Sequence, residues 1–154
     1  MAIDGFLAMQ AKPLSPSIIE YIKKGIEFGA YKDSSGWSHG GLVRLAQEYG
    51  FQATTQCNVD SVQLGEALKQ NCLPIISIKW AFEDYKPLRE RIFFWKRFGG
   101  HLALIVGFEG NIENIKGFYV NHTSIIPDYN WQYKFIELEK FKAGFTGRCI
   151  IVKS

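Results

Sequence analysis

Apolar residues follow a helical period through the first half of this chain and form strand-like runs through the second. Ile3, Phe6, Leu7 and Met9 lie on one face of a helix over residues 1–12. No capping residue precedes Ala2, so the chain is expected to begin inside an element. Pro13 ends that helix. Ser15 as cap and Pro16 at the first helical position start a second, striped by Ile18, Ile19, Ile22 and Ile26 and closed by Gly29. A polar loop over residues 31–36 leads to Ser38, which caps a third helix with Leu42, Val43, Leu45, Ala46 and Tyr49 at helical spacing up to Gly50. Asp60 or Ser61 caps a fourth, with Val62, Leu64 and Leu68 facing inward.

Strand patterns dominate after that. Residues 51–57 and 73–80 read as strands, the second with Pro74 near its entry, where a lost donor is tolerated. Residues 81–98 form a long, partly helical connection carrying Trp95 and Phe98 towards the next strand. The central signal is Gly99-Gly100-His101 followed by an apolar run to Gly107, a buried strand opened by flexible backbone. Residues 117–121 return from a turn at 110–116, so the two runs predict an antiparallel hairpin. Residues 125–131 are a loop around Pro127, 133–136 a short strand, 137–143 a helical turn or two, and 148–152 a last strand. Helices first and strands after predict an α+β protein with its helices packed on one side of a mostly antiparallel sheet.

With 154 residues, the chain is expected to be a single domain spanning residues 1–154. A net charge of +3, evenly spread, argues against a nucleic-acid partner. No apolar run reaches the roughly 18 residues of a membrane span, and no secretory signal opens the chain, so a cytoplasmic location is the default. Cys57, Cys72 and Cys149 are too scattered for a disulfide framework. Cys72 and Cys149 adjoin apolar strands and are expected to be buried and inert. His39, His101 and His122 lack metal-ligand spacing, so no metal or other cofactor is expected.

His101, at the mouth of its strand, is the best candidate for chemistry. The hairpin brings Asn121 and His122 beside it, and an imidazole acting as a base needs a polar group to fix its tautomer. Successive strand residues point to opposite faces, so only one of the two can serve. A nucleophile is lacking: no cysteine or serine stands at a convincing site.

Several pieces in order give the chain a family likeness. They are Leu7-Ala8-Met9, Gly36-Trp37-Ser38-His39-Gly40-Gly41-Leu42-Val43, Glu48-Tyr49-Gly50-Phe51 and Leu73-Pro74-Ile75-Ile76-Ser77. Gly100-His101-Leu102-Ala103-Leu104-Ile105-Val106-Gly107-Phe108 and Phe118-Tyr119-Val120-Asn121-His122-Thr123-Ser124 complete the set. Together they resemble the papain-like cysteine peptidases of the bacterial bacteriocin-processing (double-glycine leader) group. The resemblance implies a papain-like fold, a peptide or protein substrate, and His101 as general base. It implies a nucleophilic cysteine at the start of the first helix, where this chain has Met1 or Ala2, and an oxyanion-stabilising glutamine a little earlier. The orienting Asp or Asn aligns with His122, with Asn121 one residue away, and Thr123 follows where the group usually has proline. Trp37, Trp80, Trp95 and Gly100 are expected to line the peptide groove.

As written, the chain is expected to be inactive, its nucleophile truncated, replaced at Ala2 or lost. The alternatives are a non-catalytic peptide-binding module and an unrelated α+β scaffold with a structural His101.

Overall fold

A computed structural model describes residues 17–32, 36–83, 101–124 and 127–154. Among these residues the helices are α1 (Ile18–Glu27), α2 (His39–Glu48), α3 (Ser61–Lys69) and α4 (Leu138–Gly144). The strands are β1 (Tyr31–Lys32), β2 (Gly36–Trp37), β3 (Gln52–Cys57), β4 (Leu73–Ile78), β5 (His101–Asn111), β6 (Asn114–His122), β7 (Trp131–Glu137) and β8 (Phe145–Lys153). Six of them build one antiparallel sheet in the order β3-β8-β4-β5-β6-β7. The protein is α+β as expected, but its helices lie on both faces of that sheet rather than on one side, because alternate strand residues make both faces apolar and each needs cover.

Alternation along each strand sorts the core into two layers. Ile76, Ile78, Ala103, Ile105, Phe118, Val120, Ile136 and Cys149 face α3 and α4, where Leu64 and Phe141 are fully buried. Ala53, Ile150 and Val152 face α2, meeting Ala46 and Phe51. The hairpin of β5 and β6 forms as the sequence predicts, with Leu104 opposite Asn121 and Ile105 opposite Val120.

Other expectations need correction. The cap of α1 is Ser17, not Ser15, because Ser17 and Glu20 exchange backbone hydrogen bonds in a capping box. Asp60 rather than Ser61 caps α3, through the same motif with Gln63. Val62 is 46% exposed, not inward-facing. It precedes the buried Leu64 by two residues, and at about 100° per residue it falls on the far side of the helix. The loop at 31–36 contains a two-residue ladder, Tyr31 opposite Trp37 and Lys32 opposite Gly36. β4 stops at Ile78, because the chain turns into a 3₁₀ segment, Trp80–Glu83, with Ala81 and Phe82 at positive φ. Pro127–Tyr129 forms a second such turn. β7 and β8 are longer than the apolar runs that marked them, since ladder pairing continues through exposed residues. The expectations for residues 1–12 and most of the 81–98 connection lie outside the described residues.

Candidate active site

The hairpin puts His101, Ala103 and Ile105 of β5 on the same sheet face as Val120 and His122 of β6, because each set shares the parity of the paired residues Ile105 and Val120. The His101 and His122 rings lie 4.6 Å apart, inclined at 59°. His101 Nε2–H donates to the carbonyl of Thr123 at 2.7 Å. A carbonyl only accepts, so this bond assigns the proton of neutral His101 to Nε2 and leaves Nδ1 with a lone pair.

His122 is only 3% exposed. Its Nδ1–H donates to the Tyr129 carbonyl at 2.6 Å, which leaves Nε2 as the lone-pair nitrogen. That atom is buried with no hydrogen-bond partner among the described residues. Burial lowers the His122 pKa; the Tyr129 carbonyl opposes this, and neighbouring His101 adds to it.

Trp131 packs beside His122, its ring 5.1 Å away and stacked on Phe82 at 6.2 Å. The turn before β7 anchors both side chains, since Trp131 Nε1–H donates to the Asp128 carbonyl at 2.9 Å.

Asn121 points to the opposite face. Its Oδ1 accepts from the backbone N–H of Tyr133 at 2.7 Å. Tyr133 has φ of 58° beside the bulge in the β6–β7 ladder, so Asn121 braces that irregularity. The group that fixes His101 is thus the main chain of Thr123, one residue beyond the pair singled out in the sequence. Any residue can offer a carbonyl, so the sequence carried no signal for Thr123 or Tyr129 beyond the turn-forming Pro127.

Trp37 belongs to the helical layer. It lies edge-on to Tyr31 at 5.3 Å, and a Cβ on Gly25 would collide with its ring. Trp80 opens the 3₁₀ segment after β4. Ala2, Trp95 and Gly100 lie outside the described residues.

None of the three thiols is placed to serve His101. Cys57 is exposed at the end of β3, three strand spacings from β5, or roughly 14 Å. Cys72 is buried just before β4, at the end of that strand away from the Ile78–His101 pair. Cys149 is buried in β8, where burial, with Cys57 adding to it, raises its thiol pKa to about 11. A third imidazole, half-buried His39 at the start of α2, shares a 2.7 Å hydrogen bond with Ser77 on the α2 face of the sheet. Burial lowers its pKa, helped by Arg148.

The described residues contain no cluster of three or more metal-ligating side chains and no helix long and apolar enough to cross a membrane.

No protein-family model matches the chain, and no curated protein matches it. Solved structures do. The peptidase domain of Streptococcus ComA, a bi-functional ABC transporter involved in a quorum sensing pathway, is 15% identical with a TM-score of 0.59, over 95% of this chain and 84% of that one. A double glycine motif protease from an AMS/PCAT transporter, in complex with the leader peptide, is 20% identical with a TM-score of 0.55, over 99% and 80%. The peptidase domain of Streptococcus mutans ComA is 14% identical with a TM-score of 0.53, over 92% and 97%. This chain has the fold of those peptidase domains.

Proposed function

We propose that the chain is a papain-like peptidase-type domain of the double-glycine leader kind, with His101 as its base and the thiol nucleophile missing from this sequence. One observation carries the reading. His101 opens β5 with Nε2–H held by a carbonyl and Nδ1 left as a lone pair. A cysteine peptidase needs such an imidazole: one nitrogen is fixed from behind, and the other takes the thiol proton and later returns it to the leaving amine. The fold shared with leader-peptidase domains supports the same reading. None of the three thiols of this sequence faces Nδ1, so in this reading cleavage requires that the nucleophile be supplied.

Restoring the nucleophile tests this. In Ala2→Cys, alkylation at position 2 by iodoacetamide is followed across pH by peptide mass, with and without His101→Ala. A thiol pKa well below the reference of about 8.5, lost with His101, is the expected result. A thiol that titrates normally and ignores His101 overturns the reading.

A non-catalytic peptide-binding module is the second reading, favoured by His122. This neutral imidazole stands where the resemblance calls for an Asp or Asn, and it lacks the carboxylate charge that would stabilise an imidazolium at His101. Cleavage of a leader peptide by the restored variant would exclude it.

A further inference from the structure

Each imidazole of the pair is held in the manner of a metal ligand. Metal-bound histidines ordinarily donate their second ring N–H to a carbonyl or carboxylate, which fixes ring angle and tautomer and makes the ligating nitrogen more basic. His101 does so through Nε2–H to the Thr123 carbonyl, and His122 does so through Nδ1–H to the Tyr129 carbonyl. The remaining nitrogens, His101 Nδ1 and His122 Nε2, therefore carry lone pairs.

His122 Nε2 is the more telling of the two. It is a buried acceptor with no donor among the described residues, a costly state that calls for an explanation. The ring spacing suits a shared ion. Two imidazoles bound tetrahedrally at the usual Zn–N distance of about 2.0–2.1 Å have ring centres roughly 5 Å apart, and these lie 4.6 Å apart.

We propose that His101 and His122 form a two-histidine site for a divalent transition ion of the zinc class, bound through His101 Nδ1 and His122 Nε2. With two protein ligands, the remaining positions go to water. This is an open, exchangeable site rather than a closed structural one. Such an arrangement escapes any search by sequence spacing, because its ligands come from neighbouring strands 21 residues apart in the chain. The site stands without the peptidase reading. If both hold, the ion occupies the lone pair that the base requires, so metal and catalysis compete for His101 Nδ1.

Zinc chloride titrated calorimetrically into the chain tests this at neutral pH. The Cys57→Ser background removes the exposed thiol as a competing ligand. Uptake of a single ion per chain is expected, weakened about tenfold or more in His101→Ala and again in His122→Gln.

Because His122 is buried, its variant is prone to misfold, so the unmodified rings are also followed by nitrogen NMR. Zinc should shift His101 Nδ1 and His122 Nε2 and leave the carbonyl-bonded nitrogens protonated. Failure to take up zinc saturably, uptake unchanged by His101→Ala, or shifts confined to His39 would each overturn the site. The peptidase reading would survive that outcome if the cysteine restored at position 2 were still activated by His101.

Discussion

His101 and His122 owe their tautomers to main-chain carbonyls, and those carbonyls sit where a strand end and a 3₁₀ turn close on each other. Asn121, one residue from His122, serves the opposite face by satisfying the Tyr133 amide. Asn121→Ala should therefore lower stability by about 1 kcal/mol, the usual worth of one such bond. It should leave the His101 Nε2–H bonded to the Thr123 carbonyl, as read by nitrogen NMR. Loss of that bonded N–H signal in Asn121→Ala would mean that Asn121 reaches His101 after all.

Among the elements, the first helical layer closes through missing side chains. Gly41 of α2 lies against Ala30, so that an added Cβ would overlap the Ala30 backbone, whereas a Cβ on Gly40 meets nothing within 4 Å. These adjacent helical glycines make a paired test. Gly41→Ala should cost about 1–3 kcal/mol through overpacking. Gly40→Ala should be neutral, or stabilise by up to about 1 kcal/mol, because it removes backbone freedom from the unfolded chain. Denaturant melts of the two variants check both signs. Equal effects would mean that the contact between Ala30 and Gly41 is drawn wrongly.

Across the whole molecule, the His39–Ser77 bond ties α2 to a central strand of the sheet. The folded pKa of His39 lies below its unfolded value. The unfolded chain therefore binds more protons between those two values, and stability falls as pH drops through about 6.5 towards the folded pKa. Above that window the group has no effect. Denaturant midpoints should decline from pH 7 to pH 5, and His39→Asn should flatten the slope. It should not abolish it, since burial lowers His122 in the same direction. An identical pH dependence in His39→Asn would count against this link.

Local pattern was enough to give much of the fold. Helical stripes, capping residues and apolar runs fixed the order of helices and strands, because period and caps are written in neighbouring residues. The same patterning located the β5–β6 hairpin and its leading histidine, and it marked Cys72 and Cys149 as core. It could not decide which apolar face would be covered. Ile19, Ile22 and Ile26 form an apolar stripe in the sequence, yet they are 61%, 42% and 55% exposed, because burial depends on what packs opposite a helix. Nor could it place β8, the last strand, between β3 and β4, since that pairing joins segments far apart in sequence. The candidate site divides in the same way. His101 was legible as a residue type in a local motif. The carbonyls of Thr123 and Tyr129, the outward turn of Asn121 and the 4.6 Å approach of two imidazole rings were decided only by the bulge and turn that bring β5, β6 and β7 together, since backbone groups and strand register leave no mark on residue identity.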